Sequence, residues 1–335
     1  MNLSKIITTY YKMHKLLQAC KDGDIQYVKN NISPENVNTA DEYKMTLFAF
    51  ACDSGHTEIV ELILQTAGFT GLNDYDCGYD RNAPFIMAAL GGYIDIVKLF
   101  LKTPGFDLLN KVNYDGNTAF MEACRMGHIE IAKLLLNTPG FSVLNIKTFR
   151  RGRTALIWAC EYGRQKIVKM LLEAEGFNSL NEKNHREESA LDLACEYGYI
   201  EIVELLMIQP NIIVPTDVKE DSRWVDKTDK DIKDKEKVKI LIGSYNKNPQ
   251  KTVRELIVKK NLDIYRLIVF YCDGYFVINE TTDINTKNKR FFEIIKKLPL
   301  ELQALLIHRL SGSTKNVITG IMFDENIINF IEKYL

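Results

Sequence analysis

The run Lys147-Thr148-Phe149-Arg150-Arg151-Gly152-Arg153 places four cations around one aromatic ring within seven residues. Guanidinium forks bind carboxylates and phosphates through paired charge-assisted hydrogen bonds, so an acidic peptide or a phosphorylated segment suits this run. Duplex DNA calls for a longer basic stripe than one such turn plus Arg186 supplies. The competing reading is a solvated turn with a purely structural role. Lys+Arg 43 against Asp+Glu 44 leaves a net charge of -1, so charge-driven binding has to be local.

The other reactive side chains carry less. His56 and His128 each follow a glycine, where a polar cap on the next helix is expected, and His14, His185 and His308 have no acidic or thiol partner at ligand spacing. Asp74 and Asp76 fall in a loop, where solvated carboxylates outnumber acid/base pairs. The chain has no Gly-x-x-x-x-Gly-Lys phosphate loop, Gly-x-Gly-x-x-Gly, His-Glu-x-x-His or Gly-x-Ser-x-Gly. No Cys-x-x-Cys occurs either. No catalytic, cofactor-binding or metal-ligating residue is therefore assigned, and a non-enzymatic protein is expected.

The elements that position these residues are repeats. A fourteen-residue phrase recurs six times, from Ala19, Ala51, Ala88, Ala123, Ala159 and Ala194, as in ACRMGHIEIAKLLL from Ala123. Its glycines, Gly23, Gly55, Gly92, Gly127, Gly163 and Gly198, are spaced by 32, 37, 35, 36 and 35 residues, a period of stacked-repeat solenoids. Cys20, Cys52, Cys124, Cys160 and Cys195 share one slot, which holds Ala89 in the third repeat. Residues placed once per repeat sit about 10 Å apart, as packed helices do, too far for disulfides. They read as buried small hydrophobes in a reducing compartment.

Each unit reads as two short helices and a projecting turn. In the fourth, Asp115-Gly116-Asn117-Thr118 makes the turn and caps a first helix carrying Phe120, Ala123 and Cys124. Gly127 ends that helix, and Ile129, Ile131, Ala132, Leu134 and Leu135 mark a second. A closing phrase, Gly-Phe-x-x-Leu-Asn, recurs from Gly68, Gly105, Gly140 and Gly176, with Phe141 and Leu144 as loop anchors in the fourth unit.

These features resemble the ankyrin repeat family over about residues 14–210. The opening slot holds Thr46-Leu47-Phe48, Ala83-Pro84-Phe85, Thr118-Ala119-Phe120, Thr154-Ala155-Leu156 and Ser189-Ala190-Leu191. The family's histidine in that slot is replaced by Ala49, Ile86, Met121, Ile157 and Asp192, so apolar packing is expected in place of its hydrogen bond at four of the five. The tetratricopeptide repeat has a similar period, but its Trp-Leu-Gly-Tyr pattern is missing. The resemblance implies an all-α solenoid of helix-turn-helix units with projecting turns. It also implies a non-catalytic scaffold that binds a protein or peptide on the concave repeat face.

Partner contacts are then expected from the turns, through Tyr43, Tyr79, Tyr114, Arg150, Arg151, Arg153, His185 and Arg186. The first-helix ends add Arg125, Met126, Tyr162 and Tyr197, beside Glu161 and Glu196. Tyr and Arg dominate interface energetics because each joins a large apolar plane to polar donors. Tyr162 and Tyr197 could equally cover neighbouring helices.

The expected organisation is an N-terminal capping segment (1–13), six repeats (14–213), a charged insertion or linker (214–237), degenerate repeat sequence (238–283) and a C-terminal helical segment (284–335). Leu298-Pro299-Leu300-Glu301-Leu302, followed by Leu305 and Leu306, looks like the start of an F-box, the module that docks on the adaptor subunit of cullin-type ubiquitin ligases. That resemblance implies a substrate adaptor recruiting such a ligase; a cap on the last repeat is the alternative. An enzyme would require an unfamiliar catalytic domain between Ser244 and Leu335. With no run of about 18 apolar residues, a monomeric cytoplasmic or nucleocytoplasmic protein without membrane or nucleic-acid partners is expected.

Overall fold

The computed structural model describes residues 3–75, 77–78, 81–218, 229–253 and 255–256. Two compact units divide the chain, Met1–Pro249 and Gln250–Leu335. In the second, residues 250–253, 255 and 256 are described and are helical.

The first unit is a stack of helix pairs: α1 (Leu3–Asp22) with α2 (Ile25–Asn31), α3 (Leu47–Ser54) with α4 (Thr57–Gln65), and α5 (Pro84–Gly91) with α6 (Ile94–Lys102). It continues through α7 (Ala119–Met126) with α8 (Ile129–Leu136), α9 (Ala155–Glu161) with α10 (Gln165–Leu172), and α11 (Ala190–Tyr197) with α12 (Ile200–Met207). First helices pack on first helices and second on second, giving two layers. A final helix, α13 (Asp229–Lys247), packs on both α11 and α12 and buries Val238 and Ile242. No strand is present among the described residues, and the solenoid is all-α.

Local chemistry sets the boundaries. The hydroxyls of Thr46, Thr118, Thr154 and Ser189 each accept from the backbone N–H three residues on, as N-caps do. Ala83 cannot, and Pro84 opens α5 instead with a φ already suited to a helix. Asp192 completes a capping box with Ser189, while Ala49, Ile86, Met121 and Ile157 in the equivalent slot are buried. At the other end Gly55, Gly92, Gly127 and Gly198 are left-handed C-caps. Gly55 has a second reason to lack a side chain, because the Tyr93 ring of the next unit fills that space.

The first helices α3, α5 and α7 each bury one large ring that the exit loop covers, and Leu156 and Leu191 take that slot in α9 and α11. Phe48, Phe85 and Phe120 meet Phe69, Phe106 and Phe141 at centroid distances of 4.8, 4.7 and 4.9 Å. Ile59, Ile63, Ile96, Ile131 and Leu135 of the second helices close the core from the other layer. The register cysteines are buried free thiols, and Cys77, outside the register, is buried as well. Burial pushes the Cys20 thiol up to about 12.

Two expected boundaries fall inside continuous helices. The proposed cap and the start of the first repeat are both part of α1, and position 237/238 lies within α13. The segments 257–335, including Leu298, Pro299, Glu301, Leu302 and Leu306, lie outside the described residues.

Candidate functional site

Five projecting turns precede the first helices α3, α5, α7, α9 and α11. Each closes by backbone bonds, such as Asp41 N to Met45 O at 3.0 Å, Asn113 N to Asn117 O at 2.9 Å and Thr148 N to Arg153 O at 2.9 Å. Every turn has a left-handed residue two positions before the helix cap, with φ of 60° at Lys44, 49° at Arg81, 87° at Gly116, 65° at Gly152 and 59° at Glu187. Only two of these are glycines, so three turns hold a charged side chain in a conformation that costs L-residues energy.

Successive turns are tied edge to edge. Gly78 N donates to Tyr43 O at 2.9 Å, Phe149 N to Asp115 O at 3.1 Å, and His185 N to Arg151 O at 3.0 Å. Asn113 Nδ2 donates to Asn82 Oδ1 at 2.8 Å between the other pair. Side chains near the tips are therefore held in fixed relation to those of the next unit.

At the tips, Tyr114 is exposed and lies beside two guanidiniums, Arg81 at 5.4 Å and Arg150 at 5.2 Å from its ring centroid. Arg150 also reaches Asp115 Oδ1 at 3.1 Å. Lys147 pairs with Glu182. Phe149 is 66% exposed, and Tyr43, Arg151, His185 and Arg186 are exposed as well. Tyr79 lies outside the described residues.

Arg153 departs from the expectation that it projects toward a partner. Its side chain is only 7% exposed, its Nη2 donates to Glu161 Oε1 at 2.7 Å, and its guanidinium lies 4.3 Å from the Trp158 ring centroid. The reason is its place next to Thr154, the cap of α9: the chain has already turned inward there, and Trp158 on the first turn of that helix offers a flat surface. Burial lowers its pKa, with Glu161 opposing and the like charges of Arg151 and Arg186 reinforcing the shift.

The same cluster organises the helix-end residues. Arg125 pairs with buried Glu122 at 2.7 Å and lies 5.4 Å from the Trp158 centroid and 5.7 Å from that of Tyr162. Burial raises the Glu122 pKa against the opposing charge and hydrogen bond of Arg125. Trp158 Nε1 donates to Asn117 Oδ1 at 3.0 Å, joining the turn of the fourth unit to the fifth unit. Met126 and Tyr162 stand exposed at the rim, whereas Tyr197 is half-buried and stacks on Tyr199 at 6.0 Å.

His56 and His128 make no side-chain cap to α4 or α8. Their Nε2 atoms instead meet backbone carbonyls one unit back, Lys21 O at 2.9 Å and Leu90 O at 3.0 Å, so they link units. Among the described residues, no group of three His, Cys, Asp or Glu is placed to hold a metal ion, and no helix is long and apolar enough to cross a membrane.

Sequence reading passed over the contact of Trp158 with Asn117, because nothing in the local spacing marks a bond across 41 residues, and over Glu122, whose spacing of three from Arg125 on one helix was the available signal. It also passed over a column of asparagines on the opposite edge. Asn38, Asn73, Asn110, Asn145 and Asn181 each donate to a carbonyl of the next loop, at Gly68, Gly105, Gly140, Gly176 and Asn211, at 2.7–2.8 Å. Each also accepts from the N–H two residues further on, at Thr70, Asp107, Ser142, Asn178 and Ile213. The terminal Asn of Gly-Phe-x-x-Leu-Asn was its signal at all but Asn38, which lies outside that phrase.

Comparison with known families finds ankyrin repeats (3 copies), matched over residues 16–111, 70–145 and 141–215. No curated protein matches the chain.

Proposed function

The chain belongs to the ankyrin repeat family, and on that premise we propose that it is a non-catalytic interaction scaffold whose partner, a protein or peptide, lies along the projecting turns and the ends of the first helices. One observation carries the reading: of nine large hydrophobic side chains exposed among the described residues, Tyr43, Tyr114, Phe149, Met126 and Tyr162 fall on that one edge. Exposed rings flanked by guanidiniums are costly surfaces to leave bare and are typical interface anchors. The turns are also tied together by backbone bonds, so the anchors are presented without much ordering cost on binding.

Affinity capture with the intact chain against a Tyr114→Ala/Met126→Ala/Tyr162→Ala variant tests this. The variant should retain the thermal midpoint of the parent and lose its captured partner. Unchanged capture by a folded triple variant would remove the assignment of this edge.

A further inference from the structure

The basic run in the turn of the fifth unit, before α9, is mostly satisfied from within. Arg150 is paired with Asp115, Lys147 with Glu182 and Arg153 with Glu161. Arg151 is the exception, and across the junction Arg186 is a second: both are exposed, and among the described residues no carboxylate pairs with either. The bond from His185 N to Arg151 O sets the backbone of Arg151 beside His185, the chain neighbour of Arg186, on the next turn. The His185 ring lies over Gly152 in space that a side chain there would occupy, which closes the junction. Behind them sits Arg153, whose Nε and Nη1 are buried without a hydrogen-bond partner.

The geometry points to a phosphate-recognition site at this junction, in which Arg151 and Arg186 bind the phosphorylated serine or threonine of a partner polypeptide. It rests on the interaction reading above and names the chemistry of one contact. Two unpaired guanidinium forks match a group with three acceptor oxygens and nearly two negative charges, whereas a carboxylate fills one fork. The charge of Arg153 is matched by Glu161, which leaves Arg151 and Arg186 as the two forks open to a ligand. Phe149, 66% exposed in the same turn, offers an apolar contact for residues beside the phosphate. Asp115, Glu182 and Glu187 border the patch, so a polynucleotide would bring its next phosphates against carboxylates.

The test uses the full chain and three degenerate fluorescent peptide libraries that share flanking positions and differ at the centre: phosphoserine, glutamate or serine. The phosphoserine library should bind at least about tenfold more tightly than either other library, as charge-assisted bidentate contacts allow. An Arg151→Ala/Arg186→Ala variant should bring it down to the level of the serine library. Equal binding of the phosphoserine and glutamate libraries, or a preference that survives the double variant, overturns the proposal. So does a single-stranded oligonucleotide bound as tightly and lost in the same variant, which would indicate generic polyanion attraction. If serine peptides bind without a phosphate preference and lose affinity in Tyr162→Ala, the phosphate site falls while the interaction surface stands. Binding by none of the libraries overturns the site.

Discussion

On the exit-loop edge one residue type repeats with one pair of bonds: Asn38, Asn73, Asn110, Asn145 and Asn181 each clamp the loop that follows. On the projecting-turn edge the slot after the first bonded residue holds Glu42, Gly78, Tyr114, Phe149 and His185, five different residues on turns that close over four or five positions. The exit-loop side chains satisfy backbone groups of the stack, a demand that is identical in every unit. On the other edge the backbone itself makes the inter-turn bonds at Gly78, Phe149 and His185, which leaves the side chains there free to differ. Uniformity thus marks what the stack needs, and variety marks what it presents.

The contrast can be broken most forcefully inside the turn before α9. Arg153→Ala strips the half-buried Glu161 of this guanidinium and should cost about 3 kcal/mol in chemical denaturation, while Arg151→Ala, two residues away, should stay within about 0.5 kcal/mol. Similar losses for the two would erase the distinction between them. Next in size, Asn145→Ala removes the bonds to Gly176 O and from Asn178 N and should destabilise by about 1–2 kcal/mol. A neutral result would show that water replaces that clamp.

On the variable edge the expected stability effects are smaller and one has the opposite sign. Glu187→Gly relieves a left-handed residue at φ 59° and should raise stability by about 1 kcal/mol, offset in part by the greater freedom of glycine in the unfolded chain. A loss of stability would mean that Glu187 earns its place through contacts, including the ion pair with Lys183. Finally, the described cysteines should resist alkylation by iodoacetamide at pH 8 in the native state and react once denaturant unfolds the stack. Burial raises the pKa of the Cys20, Cys52, Cys124, Cys160 and Cys195 thiols, leaving little thiolate to attack.

Much of the fold was legible because it is encoded within about 35 residues and then repeated. The glycine spacing, the Thr and Ser caps and the apolar stripes are local chemistry, and each appears in the structure as a helix end or a buried face. The residues at the tips were less legible. Arg150, Arg151 and Arg153 look alike in sequence, yet the first pairs with Asp115, the second stands exposed and the third lies against Trp158. His56 and His128 were read as caps on the helices they begin, when their partners are carbonyls of the preceding unit.

The sequence by itself determined the period, the two-helix unit and the family, because a hydrophobic pattern with regular caps admits one way of stacking. Only the tertiary structure decided which guanidinium is buried, which is paired across a turn and which stands exposed. Those outcomes depend on side chains that the fold brings alongside, Glu161 and Trp158 from the helix that follows Arg153 and Asp115 from one repeat before Arg150. A charge settles where the nearest counter-charge and the least desolvation lie.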